Sequence, residues 1–351
     1  MLTGVDAAGR VLERLEQLYA LGGGRGANRL GYSEAEDEAH ELVARWMEEA
    51  GLELERDTAG NLIGRLRGRR PELPEVWTGS HLDSVPEGGR FDGALGVVGG
   101  LDAVARAGRE ERTLAVVAFR DEERGCSGSR ARVREASLPG AFLELHVEQG
   151  PRLADAGAPL GVVRGIVGYV RGEVLFEGRA GHAGTTPMDR RTDALCAAAE
   201  FVLRARDVAR AIPDVVATVG RVEVEPGGSN VIPARVRVSI DARAPDAERL
   251  DRLVSGLAVG PLQRTEPVAF DGDLRAALRT ELERIGLPPA ELVSGAGHDA
   301  GILAAAGVPA AMLFVRSLAG GVSHSPEEES SGEDVALALD VLAAALCRLA
   351  A

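Results

Sequence analysis

VWTGSHLDSVPEGGRFDGALGVVGGLDAVARAG, residues 76–108, starts as a short apolar run, passes through a polar, glycine-rich turn and ends in a stretch with helical spacing. Strand, loop and helix in that order are the unit of an α/β fold, in which polar loops gather at strand ends. The same logic extends outward. LIGRL (62–66), LAVVAF (114–119) running into RDEE (120–123), and FLELHVEQG (142–150) read as further strands followed by polar loops. Upstream, residues 34–51 place Ala39, Leu42, Val43, Trp46 and Met47 at helical spacing, with Gly51 as the stop. Downstream, residues 273–287 read as a helix, AAMLFV (310–315) as a buried strand and residues 333–350 as a last amphipathic helix.

Between these parts the pattern changes. YVRGEVLFEG (169–178) alternates, a long Ala-rich helix follows, and VRVSIDAR (236–243) alternates again. Strand, helix, strand, strand and helix in this order suggest a small α+β domain, residues 170–269, inserted into a larger one made of 1–169 and 270–351. The length of 351 residues exceeds one ordinary core, which agrees with two domains.

A net charge of -14 opposes binding to nucleic acid and to anionic membranes. The start, MLTGVDAAGRVLERLEQL, lacks a basic segment followed by an apolar one, and no stretch of membrane-spanning length is uninterruptedly apolar, so the expected compartment is the cytoplasm. Cys126, Cys196 and Cys347 are odd in number and widely spaced, which suggests neither a disulfide framework nor a CxxC metal site. The basic run 65–70 reads as a solvated turn.

Of the six histidines, only His40 lies within a helix, and it is assigned to structure. His81 is followed at i+2 by Asp83, whose carboxylate can orient the imidazole from behind. Asp92 lies in a tight FDG turn. Asp121, Glu122 and Glu123 follow an apolar strand; adjacent side chains diverge, so one glutamate can take a metal while the other faces substrate as a base. Taken singly, the His81–Asp83 pair reads more readily as a satisfied polar pair at a strand end, and the acidic triplet equally well as a solvated loop. With His146 and His324 they make a ligand set of three His, one Asp and one Glu without thiolate, suited to zinc or a similar divalent ion.

The ordered motifs GNLIGRLRG (60–68), GSHLDSVPEGGRFDGALGV (79–97), DEE (121–123), LELHVEQGP (143–151), GHAGTTPMDRRTDAL (181–195), GGSNVIP (227–233) with DAR (241–243), SGAGHDA (294–300) and GVSHSPEE (321–328) go further. Together they resemble the hydantoinase/carbamoylase branch of the glutamate carboxypeptidase-like dinuclear metallopeptidases. Members include N-carbamoyl-L-amino-acid hydrolases, allantoate amidohydrolases and β-ureidopropionases.

The resemblance implies a zinc-peptidase-like catalytic domain, with a central mixed sheet flanked by helices, and a ferredoxin-like lid and dimerisation domain. It implies two divalent ions per subunit, zinc first, with manganese, cobalt and nickel also compatible. Asp92 would bridge them, His81 and His146 completing one site and Glu123 and His324 the other. Glu122 would be the general base, and His182 would reach a substrate across a homodimer interface to stabilise the oxyanion. Gln149, Asn230, Arg243 and His298 match substrate-binding positions, Asn230 and Arg243 those for a carboxylate. His146, where the carboxypeptidase-like relatives carry an acid, favours ureido and carbamoyl substrates over peptides. The implied reaction releases ammonia from a carbamoyl or ureido carboxylate.

Two departures stand out: the stretch between the acid triplet and LELHVEQGP, residues 124–142, is compressed, and Gly301 follows GHDA where many relatives carry a larger polar residue. The competing readings are an aminoacylase or dipeptidase of the same superfamily, a non-catalytic metal-binding protein, and an interaction module.

Overall fold

The computed structural model describes residues 4–134 and 137–351; Glu135 and Ala136 of the compressed stretch, and the first three residues of the amino-terminal reading, lie outside them. The chain forms two compact units, 1–165 with 269–351, and 166–268. The second opens four residues before the sequence-based boundary. No change of composition marks the crossing, because one strand ends at Ile166 and the next begins at Gly168.

Unit 1 begins with α1 (Gly4–Tyr19), α2 (Glu34–Glu49), β1 (Glu53–Arg56) and β2 (Leu62–Leu66). There follow β3 (Val76–His81), α3 (Ala94–Ala107), β4 (Leu114–Phe119), α4 (Ser127–Arg132), β5 (Ala141–Val147), α5 (Arg152–Asp155) and β6 (Leu160–Ile166). Unit 2 holds β7 (Gly168–Glu177), α6 (Ala194–Arg210), β8 (Val216–Thr218), β9 (Val222–Glu225), β10 (Arg235–Ala244), α7 (Ala247–Leu257), β11 (Gln263–Thr265) and the start of β12 (Val268–Ala269). The chain finishes in unit 1 with α8 (Gly272–Arg284), β13 (Ala290–Ser294), α9 (Asp299–Ala305), β14 (Ala310–Val315) and α10 (Gly332–Ala350).

The large sheet runs β1-β2-β4-β3-β5-β14-β6-β12, with β13 also on β6. Its centre, β4-β3-β5-β14, is parallel, and antiparallel strands flank it on both sides. These four strands are buried along their whole length, which explains the continuous apolar sequences of β4 and β14. Helix α2 starts cleanly because the Ser33 side chain accepts from the Glu36 amide.

Helix α3 needs a tertiary explanation, since its three glycines each lower intrinsic helix propensity by about 1 kcal/mol. Its Leu95, Val97, Val98, Leu101 and Val104 are buried. A side chain at Gly96 would place its Cβ 2.4 Å from the Leu145 carbonyl oxygen. The missing Cβ is what lets α3 lie against β5, and packing outweighs propensity.

Unit 2 is a β-α-β-β-α-β arrangement whose antiparallel sheet runs β11-β7-β10-β8, with β9 extending the hairpin onto β10. Fourth, first, third, second is the ferredoxin-like order. The apolar face of β10 (Val236, Val238, Ile240, Ala242) packs with Phe201 of α6 and with Leu250, Leu253 and Leu257 of α7. Among the described residues no helix is long and apolar enough to cross a membrane.

Candidate metal centre

Because β3, β4, β5 and β14 run parallel, their carboxyl ends open on one edge of the sheet, where α/β folds place ligands. His81 closes β3, Asp121–Glu123 follow β4, His146 is the penultimate residue of β5, and Ser317 to His324 follow β14. Thr78 pairs with Leu143, so three further steps bring His81 opposite His146, and their ring centroids are 5.9 Å apart.

Asp92 stands between these histidines and the β14 loop. Its Oδ1 is 3.6 Å from His81 Nε2 and 3.2 Å from His146 Nε2, while Oδ2 is 3.4 Å from His324 Nε2. The same His324 nitrogen is 3.4 Å from Glu123 Oε2. Ligand-type atoms thus form two groups sharing Asp92, namely His81–Asp92–His146 and Asp92–Glu123–His324. A third group, Glu144–His146–His298, shares His146. In that group Glu144 already accepts from Ser80 Oγ and the Ala300 amide, and His298 Nε2 is 2.9 Å from Ser294 Oγ.

Donor atoms held about 2.1 Å from a tetrahedral zinc lie about 3.4 Å from one another. The four separations around Asp92 and His324 bracket that value. The imidazoles are also oriented for it. His146 Nδ1 is 2.9 Å from the Val147 carbonyl, and His81 Nδ1 is 3.1 Å from the Asp83 carbonyl and 3.3 Å from Asp83 Oδ1. Each Nδ1–H is thereby used, leaving the Nε2 lone pairs on the Asp92 side, where that of His146 also accepts the Gly93 amide at 3.3 Å.

Charge makes the same demand. Asp83, Asp92, Glu122, Glu144, Asp299 and Glu328 are all buried, and buried charge has to be paired, neutralised or bound to metal. One buried cation, Arg29, faces Asp83, Asp92 and Glu328; burial lowers its pKa to about 10 against their pull. Burial pushes Glu122 well above the usual carboxylate range, with His81 opposing and Asp299, Glu123 and Asp83 reinforcing. At Asp92 burial is outweighed by bonding to His146, His324 and His81, which holds the carboxyl well below its ordinary value. Glu123 Oε1 is buried with no partner, an acceptor for which a cation is the natural complement.

Asp83 links two loops. Besides backing His81, its Oδ1 accepts the Glu122 amide at 3.0 Å and its Oδ2 the Glu123 amide at 3.1 Å. That leaves Glu123 in the second ligand group and Glu122 outside both groups, its Oε2 3.8 Å from His81 Nε2 and its Oε1 3.6 Å from Cys126 Sγ. Three non-glycine residues of the site, Asp121, Gln149 and His324, adopt left-handed backbone (φ 53°, 57° and 54°), a conformation that persists only where surroundings impose it.

Gly93 has φ 62°, and a Cβ there would sit 2.4 Å from His81 Cε1. Gly93→Ala therefore has to displace His81. We expect a destabilisation of about 1–3 kcal/mol together with lower metal uptake, read by thermal unfolding and by elemental analysis; wild-type values of both would contradict this account of the turn.

The other sequence-derived positions fall into two places. Gln149 donates from Nε2 to Asp92 Oδ2 at 2.8 Å, and His298 is buried edge-on against the His146 ring at 4.5 Å. In unit 2, His182 and Asn230 lie together: His182 bridges Val231, and the Ala183 amide donates to the Asn230 carbonyl. Both are exposed. Arg243 is elsewhere on the same sheet, paired opposite Tyr169 and gripped on two nitrogens by Asp241 at 2.9 and 3.1 Å. His40 is fully buried in α2, and burial lowers it to about 3, so it stays neutral.

Sequence reading noted Glu144 beside His146 without giving it a role, and passed over Arg29, Asp241 and Glu328, and also Arg191, whose guanidinium donates to the Ala183 and Thr186 carbonyls and holds the His182 loop. Glu144 and Glu328 sit inside motifs that were quoted, and their polar neighbours could have flagged them. Arg29, in a turn-like stretch, carried no signal.

A parallel-centred α/β unit with His and carboxylate ligand groups at its strand ends, joined to a ferredoxin-like unit, defines the architecture of a metal-dependent hydrolase. The chain belongs to peptidase family M20/M25/M40, whose sequence profile matches residues 77–348. It is 38% identical to an N-carbamoyl-L-amino acid amidohydrolase of Geobacillus stearothermophilus, over 95% of this chain and 96% of that one. To an allantoate amidohydrolase of Bacillus subtilis strain 168 it is 34% identical, over 97% and 96%. A crystal structure of a hydantoinase/carbamoylase family amidase from Burkholderia multivorans superposes with a TM-score of 0.89 at 32% identity, covering 98% of both chains. The alignment with the Geobacillus enzyme spans 395 positions, more than the 351 residues present here, so this chain carries deletions relative to it.

Proposed function

We propose that this protein is an amidohydrolase that binds two divalent ions and cleaves a carbamoyl or ureido carbon–nitrogen bond of a small carboxylate, releasing ammonia. The observation that carries the reading is Asp92, whose two carboxylate oxygens face two separate ligand groups. Zinc fits the N/O donors best, with manganese, cobalt or nickel as alternatives.

Bound there, the two ions would supply Lewis acidity toward the scissile carbonyl and lower the pKa of the attacking water. Glu122, outside both ligand groups, takes the proton from that water and returns it to the leaving nitrogen. Its amide is pinned to Asp83, so it is aimed without being a ligand. His182 and the Asn230 side chain serve as donors to developing or fixed negative charge, and Arg243, oriented by Asp241, offers a fork for a carboxylate. With a carbamoyl amino acid the products are the amino acid, carbon dioxide and ammonia. An aminoacylase or dipeptidase of the same family is the second reading, and a panel of N-carbamoyl against N-acyl amino acids and dipeptides separates the two.

A homodimer is part of this proposal. His182 and Asn230 lie beyond the Arg235 end of β10, and Arg243 near its other end, eight residues or about 27 Å away. One small substrate cannot touch all three in a single chain, so a second copy would supply some of them. Strand β8 ends the small sheet, and Val216 on it, with Leu195 and Leu203 on α6, is exposed, which offers an apolar, unpaired edge for self-association. The three free cysteines suit the reducing cytoplasm, where we place the protein.

His182→Ala is expected to lower turnover by about 10²-fold or more while leaving metal content unchanged. Mixing it with Glu122→Gln should restore turnover, because one site of the mixed dimer is then intact. Loss of metal from His182→Ala would remove His182 from this role; failure of the mixture to regain activity would argue against sharing between subunits.

A further inference from the structure

We infer that Glu328 is a positioning residue that couples the two ion sites, by closing a ring of hydrogen bonds around Asp92 and the loop carrying His324. The inference rests on the two-ion reading above and assigns a part to residues outside the ligand set.

Glu328 follows His324 by four residues and is 5% exposed. Its Oε1 accepts the backbone amides of Phe91 at 2.7 Å and Asp92 at 3.0 Å. Its Oε2 accepts the Ser323 hydroxyl at 2.7 Å. Ser323 Oγ in turn accepts from Gln149 Nε2 at 3.3 Å, and the same nitrogen donates to Asp92 Oδ2 at 2.8 Å. The circuit runs from the Asp92 amide through Glu328, Ser323 and Gln149 back to the Asp92 carboxylate.

Three donors occupy both Glu328 oxygens, and Glu328 belongs to none of the ligand groups. What it does is mechanical. One oxygen fixes the turn that carries the shared Asp92, and the other fixes the residue next to His324, two features separated by more than two hundred positions in sequence. The fold makes room for it at Gly89, where a Cβ would lie 2.2 Å from Glu328 Cδ. His324 also needs such support. Its left-handed backbone, φ 54°, is a conformation that has to be imposed by neighbouring bonds.

If Glu328 only filled space, its loss would affect stability alone. As the tie between half-sites, it should control the affinity of the ion on the Glu123–His324 side. Outer partners of metal ligands are typically worth about 10- to 100-fold in affinity. The test is calorimetric titration of chelator-stripped full-length protein with Zn2+, with bound metal counted by elemental analysis and folding checked by circular dichroism. Glu328→Ala is expected to bind the second ion about 10- to 100-fold more weakly, with a smaller loss at the first ion through the freed Asp92 turn. Glu328→Gln should recover near wild-type binding, since its carbonyl oxygen keeps both amides and its NH2 can donate to Ser323 Oγ. Ser323→Ala, which cuts one arm of the ring and leaves the Asp92 turn held, should weaken only the second ion, and it serves if Glu328→Ala fails to fold.

Wild-type affinity for two ions in Glu328→Ala, or in Ser323→Ala, overturns the inference. So does a Glu328→Gln variant as impaired as Glu328→Ala. A wild-type chain that takes up fewer than two ions overturns the underlying two-ion reading instead, and so is distinguishable.

Discussion

Glu122→Gln is expected to bind two ions like the wild type and to turn over substrate at least about 10²- to 10⁴-fold more slowly, the range that positioned proton transfer contributes. The substitution is nearly isosteric. It keeps the backbone amide on Asp83 and the packing beside Cys126, and removes only the ability to take up a proton. Glu122 belongs to neither ligand group, so metal is expected to bind without its charge. Glu123→Gln is the informative contrast. That residue faces His324 at 3.4 Å and carries a buried, unpartnered oxygen, so its substitution should weaken ion binding as well as rate. Substantial turnover in Glu122→Gln, measured as ammonia released, would remove Glu122 from the role of base; lost metal would make it a ligand.

Asp92→Ala should have the largest effect on the metal itself. One carboxylate serves His81 and His146 through Oδ1 and His324 through Oδ2, so its removal takes a donor from both ligand groups at once. The expected loss of affinity at each exceeds the about 10- to 100-fold typical of an outer partner, and activity should fall to background. The fold should survive, because the Asp92 amide stays bonded to Glu328 and its neighbour Phe91 remains buried. Elemental analysis after gel filtration checks this. A variant that still retained one tightly held ion would show that Asp92 serves one site and does not bridge.

The large unit was legible because burial on both faces leaves a plain signature. LAVVAF and AAMLFV are unbroken apolar runs, AFLELHV is interrupted only by Glu144 and His146, and the loops after them are the polar ones. The pairing of His81 with Asp83 followed from strand geometry alone. Glycine-rich α3 was readable as a helix from its apolar spacing, although the reason it tolerates Gly96, the approach to Leu145, exists only in three dimensions.

Other features were hidden for physical reasons. The crossing into unit 2 falls at the last residue of one strand, two residues before the next begins, so nothing in composition marks it. Arg29 bonds the Leu82 and Leu18 carbonyls, and backbone acceptors leave no trace in sequence. Glu328 finds its partners across the whole chain. Asn230 and Arg243 are thirteen residues apart, yet the register of β10 sends them to opposite ends of a sheet, and motif order cannot convey that.

The most direct measurement is reconstitution: strip the full-length protein with a chelator, add Zn2+ or Mn2+ stepwise, and follow ammonia released from an N-carbamoyl-L-amino acid and from allantoate against bound metal. This account predicts no turnover in the stripped protein, saturation at two ions per chain, and activity on at least one of the two substrates that returns as the second ion binds. Undiminished turnover after stripping, or saturation at a single ion with full activity, would contradict it.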